Sequence, residues 1–308
     1  MSKAVVVGSC NLDLVIKLPR LPRPGETVTE GEYSVHLGGK GANQAAAAKL
    51  AGAEVEFIGK TGKDYQGITP VDGLKRLGVG LGGLVQDPQL PSGTAFIMVG
   101  EGGQNLIGVA PGANARLWPA EMQSLPEIMK GVGVLMVQLE IPMETVVHVL
   151  KLARQARATT ILDPAPVRPL ASDIYPLVDI ITPNQAEATA LTQMPITDIP
   201  SAQNAAREIL GWGTSAVIIT MGREGALVVT HDFSLHINAV EVDAVDSTAA
   251  GDAFNGALAA ALARGRPLDE AALYANCAAA LSVTRQGAQS SLPAKEEIDK
   301  LWKLQLRG

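Results

Sequence analysis

Four short segments carry residues whose types and spacing could do chemistry. The most informative is Asp246-Ser247-Thr248-Ala249-Ala250-Gly251-Asp252-Ala253-Phe254-Asn255-Gly256. Small residues run straight into a helical pattern, and the first N–H groups of a helix have no partner inside it. With the helix dipole they form a site for an anion such as a phosphate. Ala249, Ala250 and Gly251 bring little bulk to keep a phosphate off that backbone, and Asp252 stands at the helix start. The competing reading of Asp252 is a plain N-cap, but a cap does not require the tiny residues before it.

The second segment, Gly38-Gly39-Lys40-Gly41-Ala42-Asn43-Gln44-Ala45, also leads from a glycine loop into a helix. Three glycines interleaved with Lys40 and Asn43 suit a backbone-lined pocket for a polar small molecule; the alternative is an ordinary helix entry with Lys40 in solvent. The third is Asn11-Leu12-Asp13, just after an apolar run. In an extended chain Asn11 and Asp13 share one side, and α/β sheets hold ligands beyond the carboxyl ends of their strands. A turn built on Asn and Asp fits equally well. The fourth is Thr182-Pro183-Asn184-Gln185-Ala186-Glu187. Asn184 and Glu187 share a helical face, and their spacing is also that of a capping box.

Other motifs fail. Gly78–Gly83 matches G-x-G-x-x-G, but a helical pattern precedes it and a strand follows, the reverse of a dinucleotide fingerprint. Glu54 and Ser34 stand where P-loops ending at Lys60-Thr61 or Lys40-Gly41 would need glycine. His36, His148, His231 and His236 never fall at metal-ligand spacing, and no G-x-S-x-G elbow exists. A nicotinamide-dependent oxidoreductase, resting only on Gly78–Gly83, is demoted.

The elements that must position these groups alternate. Short β-branched runs at 4–7, 55–58, 132–137, 160–162, 179–181, 216–220 and 226–229 read as strands. Helical patterns cover 42–50, 65–77, 143–156, 202–210, 253–263, 270–283 and 294–304. Several strands are apolar throughout, as strands buried on both faces are. The pattern predicts a single α/β domain over 1–308, a doubly wound, mostly parallel sheet with helices on both faces. Strands at 14–18, 33–37, 94–99 and 106–109 break the rhythm. They predict a small antiparallel sheet within about 12–38 and 94–110, forming a lid or a dimer surface.

Composition narrows the classes. The 308 residues carry 25 Lys plus Arg against 31 Asp plus Glu, a net charge of −6. An acidic chain without a basic run disfavours nucleic acid and anionic membranes. Apolar runs such as 257–263 are far shorter than a membrane span. Two cysteines, Cys10 and Cys277, and an amino-terminal segment without signal-peptide features suit a reducing cytoplasm.

Taken together and in order, G-G-K-G-A-N-Q-A at 38–45 and D-S-T-A-A-G-D-A-F-N-G at 246–256 resemble the two signatures of the ribokinase-like carbohydrate kinase family. The resemblance spans nearly the whole chain. Further stretches, N-x-D at 11–13, P-G-E-T-V at 24–28, Q-L-E at 138–140, D-P-A-P at 163–166 and V-T-R-Q-G-A-Q-S-S at 283–291, resemble the members that phosphorylate D-ribose. The resemblance implies transfer of the ATP γ-phosphate to the 5-hydroxyl of D-ribose, with Mg2+ and a monovalent cation, usually K+, in a homodimer formed through the lid. It implies Asp252 as catalytic base, and the backbone of Ala249, Ala250 and Gly251 as an anion hole. Asn11, Asp13, Gly39, Lys40, Asn43 and Glu140 match sugar-contacting positions. Asn184, Thr220, Gly222, Glu224, Gly225, Gly251 and Asn276 match nucleotide positions, and Glu187 one that organises Mg2+ through water. Asp246, Thr248, Ser282, Arg285, Gly287 and Ser291 match the monovalent-cation loop. Asp163 replaces an asparagine common in these kinases, and Leu12, His36 and Leu37 are lid-side positions that tune the sugar. 2-Deoxyribose, another sugar or a nucleoside is therefore the alternative acceptor. The scarcity of aromatic residues weighs against a nucleoside. A non-catalytic sensor on the same fold would be expected to lack Asp252 or Gly251.

Overall fold

The computed structural model describes residues 2–62 and 69–306. The amino-terminal part contains β1 (Lys3–Val7), β2 (Asn11–Lys17), β3 (Glu32–Gly38), α1 (Lys40–Leu50), β4 (Val55–Ile58), β5 (Lys60–Thr61), α2 (Asp72–Leu77), β6 (Val85–Gln86), β7 (Gly93–Val99) and β8 (Asn105–Ala110). There follow α3 (Leu125–Ile128), β9 (Val132–Val137), α4 (Met143–Gln155), β10 (Thr159–Leu162), β11 (Ile180–Ile181), α5 (Gln185–Thr192) and α6 (Ile199–Gly211). The remainder is β12 (Ala216–Thr220), β13 (Ala226–Thr230), β14 (Ser234–Ile237), α7 (Ala250–Ala263), α8 (Leu268–Ser282) and α9 (Lys295–Gln305).

Eight strands form the main sheet in the order β14-β13-β12-β11-β10-β9-β1-β4. From β4 to β12 every pairing is parallel, and β13 and β14 add antiparallel strands at one edge. Period-two alternation divides the core between two faces. Val6, Met136, Ile161 and Ile218 point to the layer holding α1, α7 and α8. Val5, Val7, Leu135, Leu162 and Ile219 point to the layer of α4 and α6. Both layers are closed to water, which explains why these strands read as unbroken apolar runs. The doubly wound expectation therefore holds, and no helix among the described residues is long and apolar enough to cross a membrane.

The second sheet, in the order β3-β2-β7-β8, is the expected small sheet, called the lid below, with one correction. It is mixed rather than antiparallel, because β2 pairs with β7 in parallel. Each hairpin is antiparallel within itself, and the expectation overlooked that two separate hairpins must then join edge to edge. By the strand register Tyr33, Phe96, Met98 and Leu106 share one face of this sheet and are exposed, Tyr33 at 59%, while Ile107 and Val109 are exposed on the opposite face, the side of Asp13.

Smaller differences have local causes. The expected helix at 65–77 begins at Asp72, whose carboxylate accepts from the Thr69 N–H and hydroxyl and stops the helix there; residues 65–68 lie outside the described residues. β14 was not anticipated, since Ser234, Leu235 and His236 lie exposed on an edge and carry no buried pattern. Gly78, in a left-handed conformation with φ 71°, ends α2, so Gly78–Gly83 is the turn that the failed fingerprint suggested.

Candidate active site

The main sheet reverses its order at β1, which lies between β4 and β9. Such a switch point opens a crevice beyond the carboxyl ends of the strands. There the end of β1 delivers Ser9, β2 begins at Asn11, β9 delivers Gln138 and Glu140, and β10 delivers Asp163.

Two helices begin at this crevice. Gly39 caps α1 with φ 87°, and a Cβ on it would fall 2.7 Å from Cys10 Cα. Only glycine lets the helix start that close to the β1 loop. α7 packs on α1 through small residues: a Cβ on Gly256 would fall 2.4 Å from Ala47 Cβ and 2.6 Å from the Gln44 carbonyl oxygen. This near contact sets Asp252 opposite the first turns of α1. Asn43 Nδ2 donates to Asp252 Oδ2 at 2.9 Å, and Gln44 Nε2 donates to Asp252 Oδ1 at 3.0 Å. Asp252 is thus no N-cap. It is the third residue of α7, buried, and turned toward α1. The helix is capped by Ala249, which holds φ 60° without a side-chain hydrogen bond. Gly251 at its first turn is exposed, and the N–H groups of Gly251 and Asp252 find no backbone acceptor among the described residues.

Four further carboxylates gather around Asp252 and Lys40. Gln44 Nε2 also donates to Asp163 Oδ2 at 2.7 Å, and Gln138 Nε2 donates to Gln44 Oε1 at 2.6 Å, which fixes the amide between the two aspartates. The Glu140 carboxylate accepts from the Ser9 hydroxyl and, at 3.1 Å, from the Lys40 N–H. The carbonyls on either side of it, of Leu139 and Ile141, both accept from Arg168 Nη2. Burial pushes Asp163 up to about 7, with the Asp252 and Glu187 charges adding to it and Lys40 opposing. Burial likewise pushes Asp13 up to about 6, helped by Glu140 and Asp252. Asp252 moves upward too, chiefly through burial and against the pull of Lys40 and its two amide donors. Burial works against the Lys40 charge, but Asp163, Asp252, Glu140 and Glu187 outweigh it and keep the ammonium charged well beyond its usual range. The arrangement places acceptor-rich groups for a polyol beside a carboxylate and an anion-binding helix start.

The strip beyond β11 and β12 continues along the carboxyl ends of the same sheet beside β10, so the Glu187 charge is felt at Lys40 and Asp163. Asn184 and Thr220 form an isolated parallel bridge, with the Thr220 N–H donating to the Pro183 carbonyl at 3.0 Å. The expected capping box is present: Asn184 Oδ1 accepts from the Glu187 N–H at 2.9 Å, and Glu187 Oε2 accepts from the Asn184 N–H at 2.8 Å. Gly222 and Glu224 bound a single 3-10 turn after β12, and Gly225 holds φ 90° where a Cβ would strike the Ile237 carbonyl. Asn276 is buried and donates to the Asn238 carbonyl at 2.9 Å.

The Asp246 loop is held separately. Asp246 Oδ1 accepts from the Thr248 N–H and hydroxyl, and Oδ2 accepts from the Gly287 N–H at 2.9 Å. The side chains of Ser282 and Ser291 bond carbonyls three residues back, and Arg285 pairs with Glu297. What these residues offer a cation is therefore backbone oxygen. Sequence reasoning passed over Ser9, Gln44, Gln138 and Asn114, and noticed Asp163 only as a departure. Gln44 lay inside the second segment; Asn114 had no local signal.

A buried polar cluster at two helix starts beyond a doubly wound sheet is the apparatus of a phosphotransferase acting on a small polyhydroxy acceptor. The family model of pfkB carbohydrate kinases matches residues 1–295. A ribokinase of Haemophilus influenzae is 40% identical over 295 residues, 95% of each chain. A deoxyribokinase of Salmonella typhi is 34% identical over 296 residues, 96% of this chain and 97% of its own. The structure of an Arabidopsis thaliana ribokinase complexed with ribose and ATP superposes with a TM-score of 0.91 at 32% identity, covering 98% of this chain and 99% of its own. The chain belongs to the pfkB family of carbohydrate kinases.

Proposed function

We propose that the protein is an ATP-dependent kinase that transfers the γ-phosphate to the 5-hydroxyl of D-ribose and releases D-ribose 5-phosphate. The observation that carries this reading is Asp252, a buried carboxylate oriented by Asn43 and Gln44 at the exposed first turn of α7. Asp252 takes the hydroxyl proton as the phosphoryl group arrives, a form of catalysis worth roughly 10²–10⁴ in rate. The helix start at Ala249, Ala250 and Gly251 stabilises charge on the transferring group. Asn11, Asp13, Gly39, Lys40, Asn43 and Glu140 hold the sugar. Asn184, Thr220, Gly222, Glu224, Gly225 and Asn276 line the nucleotide strip.

Glu187 fits Mg2+ held through water: one oxygen is used in the capping box, and the other has no hydrogen-bond partner among the described residues. The metal supplies charge neutralisation on the phosphates. Asp246 and Thr248, with the carbonyls around Ser282, Arg285, Gly287 and Ser291, form an all-oxygen set suited to a hard cation such as K+. The exposed apolar residues Tyr33, Phe96, Met98 and Leu106 on one face of the lid support a homodimer formed through that sheet, which a monomeric mass at micromolar concentration would contradict, and the two buried cysteine thiols fit a reducing cytoplasm.

A second acceptor, 2-deoxyribose, is favoured by the deoxyribokinase relative and by Asp163 beside the sugar residues. ADP release with D-ribose, 2-deoxyribose, D-xylose, D-arabinose, D-fructose and adenosine separates the two. D-ribose ahead by tenfold or more in kcat/KM supports the reading; another leading acceptor keeps the kinase and replaces the sugar.

A further inference from the structure

Asn114 lies outside every segment that sequence reasoning selected, yet it is only 2% exposed and makes three hydrogen bonds at the base of the lid. It sits in the 3-10 turn Gly112–Arg116 that follows β8 back into the main domain. Its Oδ1 accepts from the Cys10 N–H at 3.0 Å, and its Nδ2 reaches the Cys10 carbonyl at 3.2 Å. An amide that meets both backbone groups of one residue can be oriented in one way only, because the N–H must find oxygen and the carbonyl must find NH2. The same Nδ2 donates to Asn11 at 2.8 Å, so the atom of Asn11 facing it must be Oδ1. The contact is tight: a Cβ on Gly93 would fall 2.2 Å from both Asn11 Oδ1 and Asn114 Nδ2.

We infer that Asn114 sets the hydrogen-bonding polarity of the sugar site: it occupies the amide oxygen of Asn11, so that Asn11 presents only N–H donors to the acceptor. This rests on the reading of Asn11 as a sugar contact. Nδ2 of Asn11 has no partner among the described residues, and Asn11 shares its side of β2 with Asp13. The acceptor thus meets a donor from Asn11 and an acceptor from Asp13, a pair matched to neighbouring hydroxyls of a sugar. Asn114 acts through Asn11 and is a positioning residue. A site built this way discriminates against an analogue lacking the matched hydroxyl, because a buried donor is left unpaired.

Two variants of the full-length protein test this with D-ribose and ATP. Asn114→Asp keeps an acceptor for the Cys10 N–H but sets a second acceptor against Asn11, whose amide must turn and show the sugar its oxygen. The KM for D-ribose rises at least tenfold while the KM for ATP stays within twofold. Equal changes in both KM values, or none, would overturn the inference. Asn11→Asp serves if that variant fails to fold. It retains the oxygen that Asn114 bonds and exchanges the donor for an acceptor, so Tm is kept and the KM for D-ribose rises at least tenfold. A fall in Tm with the sugar KM kept would mean that Asn11 faces the other way. The Tm comparison reads the amide orientation without any sugar. It therefore remains decisive if the wild-type enzyme proves to prefer another acceptor.

Discussion

Gly256→Ala is the most demanding test of how the fold places the chemistry. The new Cβ would lie 2.4 Å from Ala47 Cβ, 2.6 Å from the Gln44 carbonyl oxygen and 2.7 Å from the Ala48 nitrogen. Carbon atoms in ordinary contact sit about 3.5–4.0 Å apart, so the shortfall is about 1 Å. Two of the three atoms are backbone, so no side chain can swing away, and α1 and α7 must separate. Overpacking of this kind costs about 1–3 kcal/mol. Replacing a mid-helix glycine by alanine returns about 1 kcal/mol in helix propensity. The net loss is about 0–2 kcal/mol, and Tm should fall by only a few degrees. The functional effect is larger. Separation by about 1 Å draws Asp252 away from Asn43 and Gln44 at the point of transfer, and a misplacement of that size costs on the order of 10² in rate. ADP-release kinetics and thermal melts should therefore show kcat about a hundredfold down with the fold intact. Gly211→Ala is the control, since a Cβ there meets nothing within 4 Å at the end of α6; its kcat should not change. A Gly256→Ala enzyme with parental kcat would refute the reasoning that helix spacing positions the base.

Asp252→Asn should lose at least a hundredfold in turnover, about 3 kcal/mol of transition-state stabilisation, while equilibrium binding of sugar and ATP persists; near wild-type turnover would remove the base assignment. Asp163→Asn should stabilise the protein more at pH 8 than at pH 5. Asp163 titrates near 7 when folded and near 3.9 when unfolded, so its contribution to stability falls as pH rises through that window; a Tm difference independent of pH would contradict this. Replacing K+ by tetramethylammonium should slow phosphorylation strongly if the Asp246 loop holds a cation, and an unchanged rate would leave that loop a structural one.

Much of this was legible in the sequence because the groups concerned are local. The apolar strands 132–137 and 216–220 match the observed β9 and β12 to the residue, since burial on both faces leaves an unbroken apolar run. The capping spacing of Asn184 and Glu187 was also visible, as it depends on one helical turn. The orientation of Asp252 was not visible. As a cap or as a partner of α1 it would have the same neighbours in sequence, and only the glycine-tight packing of α7 decides between them. Asn114 and Arg168 act through contacts with residues far away in the chain, and nothing in their surroundings marks them; Gln138 stood in the Q-L-E stretch, but its bond to Gln44 is equally distant in sequence. The parallel joint in the lid escaped for the same reason, because hairpin signals are local and the pairing of two hairpins is not.

That joint also governs the order in which the protein can assemble. The β2–β3 ribbon is complete early in the chain, but two strands alone are marginal in water. Its third strand, β7, comes only after α1, β4 and α2, and parallel pairing between such distant segments must first meet the entropy of closing the long loop between them. The lid is therefore expected to condense after the neighbouring β1–β4 pair and α1 have formed a base for it. Asn11 and Asp13 ride on β2. The proposed sugar site therefore depends on a joint that is expected to close late, and amide hydrogen exchange should find β2 less protected than the strands of the main sheet.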